Sequence, residues 1–324
     1  MISRAPIDEE KTADGPKGIF PSDQERKNGA YSLETVGKIL SALHQDGLVV
    51  LKDIIDVDHI DAINEAMCSE VDGILADPTK YFNHGLKSNF LQRPPVTNPD
   101  LLYEDVYFNP FLHQIANSYL GSKPILNWLT SNNALANTGG MRQPVHKDNG
   151  YLHPQFPFYF IANIPLVDFS VENGSTEFWL GSHAHTDEND QRKSETEADR
   201  KTYPYSAPND PIPPVKEDVL EARRQVRPPI QPTCQKGDIM IRDLRTWHAG
   251  MPNNSSEHRI MLALGYMSPS YPNHVQRCHL PASQSRFFLE NSQGKIELRA
   301  DFYSDEEYPN VKRDTQFTTR PSYL

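Results

Sequence analysis

The chain has 324 residues, with 32 Lys and Arg against 43 Asp and Glu, a formal charge of −11. That acidic balance disfavours nucleic acids and anionic membrane surfaces as partners, while 27 prolines and 10% aromatics describe a loop-rich globular chain. The longest near-apolar stretch, residues 156–167, is interrupted by Pro157, Asn163 and Pro165 and is too short for a membrane helix.

Residues 1–30 are polar, lack a hydrophobic period and read as an arm ahead of a single domain over 31–324. Charges and prolines occupy the place where a signal peptide has its apolar segment. From Ser32, the positions Leu33, Val36, Ile39, Leu40 and Leu43 recur at helical spacing, and Gly47 stands where a helix stops. Leu48 to Leu51 reads as a short strand. A second helix follows over about Asp58 to Leu75, with Ile60, Ile63, Met67, Val71 and Ile74 on one face. Loops rich in Asn and Pro then extend to Pro110, and a short helix carries Phe111, Leu112, Ile115 and Tyr119. Short strands follow, among them Phe158 to Pro165, Thr176 to Leu180, Ile239 to Arg242 and Arg259 to Met267. Many short strands separated by Gly, Pro and Asn predict a sandwich or barrel. The polar segment from about 185 to 232 reads as a surface insertion, a lid or a solvated loop, with one short helix near Glu217 to Val226. Cys68, Cys234 and Cys278 are odd in number and form no C-x-x-C pair, so a reducing compartment, the cytoplasm, is expected.

Two groups of residues can carry chemistry. In Gln143-Pro144-Val145-His146-Lys147-Asp148, side chains two apart on a strand share a face, so His146 and Asp148 converge while Lys147 points away. The second group runs from Gly237 through Arg242, Asp243 and Trp247-His248 to Arg259. The Gly, Pro, Asn and Ser of residues 249–256 suit a reversing loop, which would place His248 and Arg259 on neighbouring antiparallel strands facing one pocket. Along the last strand Arg259 shares its face with Met261, Ala263 and Gly265, the roomier side. Arg242 and Asp243 read as a surface ion pair, and Trp247 as core.

Two His and one carboxylate with open positions form the facial triad of non-heme iron oxygenases. Ferrous iron with one Asp keeps one positive charge, a dianionic 2-oxo acid reverses it, and Arg259 restores neutrality, as a buried charge requires. His183 and His185 resemble a cupin metal pair, but their spacing to a glycine and a glutamate misses that pattern, so neither is expected to be a ligand. His153 reads as a loop residue. Tyr81, Phe82, Phe90, Tyr103 and Tyr107 precede the strands and include candidate substrate contacts.

With H-x-D at 146 and 148, the string Asn173-Gly174-Ser175-Thr176-Glu177-Phe178-Trp179-Leu180-Gly181-Ser182-His183, and the distal His248 and Arg259, the sequence resembles the phytanoyl-CoA dioxygenase family over about residues 35–270. The resemblance implies a mainly β fold with flanking helices, a double-stranded β-helix of the jelly-roll, cupin-like type. It implies His146, Asp148 and His248 as ligands of Fe(II), and Arg259 as the clamp on 2-oxoglutarate. Gln143 and Thr176 match positions that hydrogen-bond the co-substrate in some relatives. Dioxygen and a small-molecule substrate complete the set, with hydroxylation, desaturation or a related C–H oxidation as outcome. The absence of a basic patch for coenzyme A phosphates favours a natural-product metabolite over a fatty acyl-CoA. A non-catalytic ligand-binding barrel is the alternative from another class, and a homodimer is compatible with the sequence.

Overall fold

A computed structural model of the chain describes residues 15–149, 153–192, 212–271 and 276–311. In chain order it contains β1 (Lys17–Ile19), α1 (Asp23–Asn28), α2 (Leu33–Asp46), β2 (Leu48–Leu51), α3 (Val57–Leu75), β3 (Asn89–Gln92), α4 (Glu104–Tyr107), α5 (Pro110–Leu120), β4 (Ile125–Ala134), β5 (Tyr159–Pro165) and β6 (Glu177–Phe178). There follow α6 (Glu217–Val226), β7 (Ile239–Asp243), β8 (His248–Ala249), β9 (Arg259–Met267), β10 (Cys278–Pro281), α7 (Ser285–Ser292), β11 (Glu297–Leu298) and β12 (Ala300–Tyr303).

The early helices end where their capping residues stand. The Ser32 hydroxyl accepts from the Thr35 N–H at the start of α2, and Gly47, at φ 71°, closes it. Both α2 and α3 bury one apolar face, with Ile39, Leu43, Ile60, Ile63 and Met67 wholly inaccessible; each such side chain contributes about 1.5–3 kcal/mol. Within the expected arm, β1 pairs in parallel with β2, and α1 begins in a capping box between Ser22 and Glu25.

The larger sheet has the order β1-β2-β7-β5-β9-β4-β11, with β3 added to β4. Its central strands β7, β5, β9 and β4 are antiparallel. Alternation along them sorts the side chains by face. Ile239 and Ile241 of β7, and Ile260, Leu262, Leu264 and Tyr266 of β9, pack in one core with the helices. Met240 and Met261 face the other way and meet Phe169, Phe178 and Leu180. That second layer is a small sheet of β6 and β8, in which Phe178 pairs with His248, widened by bridges from His248 to His146 and from Phe178 to Ile230. Together the two layers form a double-stranded β-helix with flanking helices.

Two features depart from the sequence reading. The ten-residue β4 is a strand that the sequence reading did not name, and buried Asn127, Thr130, Ser131 and Asn133 interrupt its apolar pattern. These polar groups are satisfied internally: Asn133 donates to Gln92 Oε1 at 2.5 Å and Tyr159 to Asn127 Oδ1 at 2.8 Å. Within the 185–232 segment, α6 forms where expected but is docked. Its Leu220 packs with Val145, Trp179 and Trp247, and Arg227 reaches Asp46 at 2.7 Å. Residues 193–211 of that segment, and the candidate arm residues 1–14, lie outside the described residues. Cys68, Cys234 and Cys278 are free thiols. Among the described residues no helix is long and apolar enough to cross a membrane.

Candidate metal centre

His146, Asp148 and His248 are all buried, and their ligand atoms lie within 4.8 Å of one another. Asp148 Oδ1 stands 3.6 Å from His146 Nε2 and 3.7 Å from His248 Nε2, with the two imidazole centroids 4.3 Å apart. The segment holding the first two is not a full strand. His146 makes a bridge to His248 through two backbone hydrogen bonds, at 2.9 and 2.8 Å, and Asp148 follows in a bend. Lys147 points away as expected, its Nζ donating to Thr186 Oγ1 at 3.1 Å and standing 3.1 Å from His153 Nε2. His153 is therefore a buried partner of Lys147, beyond the loop residue read from sequence.

The imidazoles are oriented by backbone carbonyls. His146 Nδ1 is 2.8 Å from Pro144 O, and His248 Nδ1 is 3.1 Å from Thr246 O. A carbonyl only accepts, so in both rings Nδ1 carries the proton and Nε2 presents its lone pair to the centre. Burial, helped by each ring's charged or imidazole neighbours, pushes His248 down to about 4 and holds His146 well below its ordinary value. Both are neutral near pH 7. Burial alone would raise the Asp148 carboxyl, yet the Arg242 guanidinium and the two imidazoles hold it well below the usual carboxylate range. Two neutral nitrogens and one carboxylate oxygen on a common face suit a divalent iron ion that keeps positions open.

Arg242 was read as half of a surface pair, and the structure corrects this. Arg242 and Asp243 are both buried and point to opposite faces of β7. Arg242 Nη2 meets Asp148 Oδ2 at 2.5 Å. Asp243 accepts from Arg245 Nε and Nη2, each at 2.9 Å, and from the Tyr119 hydroxyl at 2.9 Å.

Arg259 opens β9 and is 1% exposed. Its Nη2 donates to Gly174 O at 3.1 Å and its guanidinium lies 4.9 Å from the Phe169 ring centroid, but Nε and Nη1 have no hydrogen-bond partner. Among the described residues no carboxylate pairs with it, and burial pushes it down to about 10. A buried guanidinium with two orphaned N–H groups fits the carboxylate end of a 2-oxo diacid. Its neighbour differs from the sequence reading: β9 pairs with β4 and β5, whereas β8 pairs with β6. The loop after His248 crosses from the small sheet to the large one, so the imidazole and the guanidinium come from opposing layers.

Gln143 is buried, and its Oε1 accepts from Gly250 N–H at 2.9 Å, so only its amide NH₂ end can serve a co-substrate. Thr176 is half-buried beside β6. His183 is buried against the Gly47 turn and His185 is exposed; neither joins the His146–Asp148–His248 group. Trp247 is core, its Nε1 donating to Thr186 Oγ1 at 2.9 Å. Of the aromatics, Phe90 and Tyr107 are core, Tyr81 is exposed, and Tyr103 stacks on His59 at 3.8 Å. His84 went unmarked in the sequence. It is buried on a left-handed backbone, φ 55°, with its ring 4.5 Å from that of His146, a conformation uncommon outside glycine.

The model of the phytanoyl-CoA dioxygenase family matches residues 43–261. Dioxygenase andF of Emericella variicolor is 22% identical over 293 residues, covering 86% of this chain and 88% of that protein. Dioxygenase olcK of Penicillium canescens is 28% identical over 170 residues, 46% of this chain and 53% of that protein. Among solved structures, the epimerase SnoN, crystallised with Fe3+, alpha ketoglutarate and nogalamycin RO, superposes with a TM-score of 0.54 at 17% identity, covering 85% of this chain and 98% of SnoN. EvdMO1 gives 0.51 at 17% identity, over 72% of this chain and 50% of that one. These two show the shared fold. The chain belongs to the phytanoyl-CoA dioxygenase family. It is an iron- and 2-oxoglutarate-dependent oxygenase.

Proposed function

We propose that the protein oxidises a C–H bond of a small metabolite in natural-product biosynthesis, with His146, Asp148 and His248 holding Fe(II) and Arg259 holding the distal carboxylate of 2-oxoglutarate. The observation that carries this reading is a buried His-Asp-His group in the same fold as a buried guanidinium that has no anion among the described residues. When bound, iron and 2-oxoglutarate supply with dioxygen an oxidant able to remove hydrogen from carbon, leaving succinate and CO₂.

The chain's own residues prepare that chemistry. The carbonyls of Pro144 and Thr246 keep both Nε2 atoms unprotonated toward the ion. Asp148 stays ionised beside Arg242. Arg259 contributes a charge-assisted contact worth about 1.5–3 kcal/mol, or roughly tenfold to 150-fold in co-substrate affinity. The NH₂ of Gln143 and the hydroxyl of Thr176 are further donors for 2-oxoglutarate. Burial of the centre excludes bulk water. As an iron ligand, Asp148 would fill the place a halide would need, which disfavours halogenation. The natural-product assignment is supported by the likeness to SnoN, an epimerase from nogalamycin biosynthesis.

The test is succinate release from 2-oxoglutarate with added Fe(II), screened against candidate metabolites. Stimulation by a natural-product metabolite is expected. Stimulation only by acyl-CoA thioesters would replace the substrate class. Neither iron binding nor turnover with any compound would favour a non-catalytic barrel.

A further inference from the structure

Among the described residues two buried arginines face buried aspartates, and they hold them differently. Arg245 grips Asp243 with a two-pronged fork, Nε to Oδ1 and Nη2 to Oδ2, so both oxygens are occupied. Arg242 touches Asp148 through one oxygen only, Nη2 to Oδ2 at 2.5 Å. Oδ1 is left facing the two imidazole nitrogens at 3.6 and 3.7 Å. The other prong of Arg242, Nη1, lies 3.4 Å from His248 Nδ1, but that nitrogen already carries its proton toward Thr246 O at 3.1 Å. It therefore cannot accept from the guanidinium, and the contact is packing. Arg242 is also fixed in place. It sits mid-strand on β7, in register with Leu48 on one side and Ile161 on the other.

We propose that Arg242 is a positioning residue that sets the denticity of Asp148: by occupying Oδ2 it makes the carboxylate a one-oxygen ligand and keeps three neighbouring positions of the ion open. This rests on the triad reading above. A free carboxylate beside a divalent cation can turn both oxygens to it, and doing so here would close one of the positions that a chelating 2-oxo acid needs. A lysine in place of Arg242 keeps one donor and the charge, whereas a methionine keeps only volume.

The experiment uses the purified full chain with Fe(II) under anaerobic conditions, titrated with 2-oxoglutarate. Chelation through two oxygens gives a visible metal-to-ligand charge-transfer band, and metal loading is followed separately by Co(II) absorption. In Arg242→Met, Co(II) binding is expected within about threefold of wild type, while the 2-oxoglutarate midpoint rises about tenfold, equivalent to about 1.4 kcal/mol. Arg242→Lys should restore the midpoint. An unchanged midpoint and band in Arg242→Met would overturn the proposal. Should Arg242→Met fail to fold or to bind metal, Arg242→Lys decides alone: wild-type chelation supports the role, and loss of the band with metal retained refutes it. Absence of the band in the unmodified protein would instead defeat the co-substrate reading, so the two failures are distinguishable.

Discussion

Replacing Arg259 with methionine should strengthen the ligand-free protein and weaken its hold on 2-oxoglutarate. Burial has pushed this guanidinium from 12.5 down to about 10. At about 1.4 kcal/mol per pKa unit, some 3 kcal/mol opposes folding until an anion arrives. The variant also gives up the hydrogen bond to Gly174 O, worth about 1 kcal/mol. The balance is a gain of about 2 kcal/mol, which for a chain of this length raises the melting temperature by about 3 °C. With co-substrate the sign reverses, because the variant forfeits a contact worth roughly tenfold to 150-fold in affinity. Thermal melts of metal-loaded protein with and without 2-oxoglutarate, paired with calorimetric titration, read both effects. A variant that melts lower without ligand and binds 2-oxoglutarate as wild type does would refute the reasoning, since Arg259 would then be a structural residue already satisfied in the native state.

Asp148→Ala should abolish metal binding and also cost the metal-free protein about 3 kcal/mol, because Arg242 is left buried without its anion; an unchanged metal-free melt would contradict that pairing. Gly174→Ala places a methyl group 2.7 Å from Met251 O at a φ of +77°. A loss of at least about 2 kcal/mol in urea denaturation is expected, with weaker 2-oxoglutarate binding as the carbonyl beside Arg259 shifts. Acid should destabilise the fold through its buried histidines. Burial pushes His113 and His153 from 6.5 down to about 4, so the unfolded chain takes up protons first as pH falls. Their contribution is complete above about pH 6.5 and is lost toward pH 4, up to about 2 kcal/mol per residue at pH 5. His113→Asn should show a smaller drop in stability between pH 7 and 5 than wild type, and an identical drop would count against the assignment.

The local elements with strong periodicity were legible in the residues. Ser32 and Gly47 bracket α2 as caps, and Leu48–Leu51 and Arg259–Met267 form strands at the positions their patterns indicate. The grouping of His146, Asp148 and His248 was legible because side chains two apart share a face and few residue types make such a set. What escaped depends on partners distant in sequence. β4 carries Asn, Thr and Ser in its interior, and only the pairing with Gln92 and Tyr159 explains how these are buried. Arg242 looked exposed because a charge within a strand usually is; Asp148, 94 residues away, is what lets it be buried. His84 has no motif around it at all. The sheet change between His248 and Arg259 was missed for a related reason, since a reversing loop in sequence does not say whether the next strand joins the same ladder.

The two layers of the fold are joined at the centre by polar cross-ties, Asp148 to Arg242 and Gly174 to Arg259. A metal ion gripping the small sheet and a diacid reaching the large one would act as a clasp between them. Cofactor loading would then be felt as mechanical closure: amide protons of β6 and β8 should exchange more slowly on loading, while those of β5 and β9, already secured by ladders on both sides, should change little.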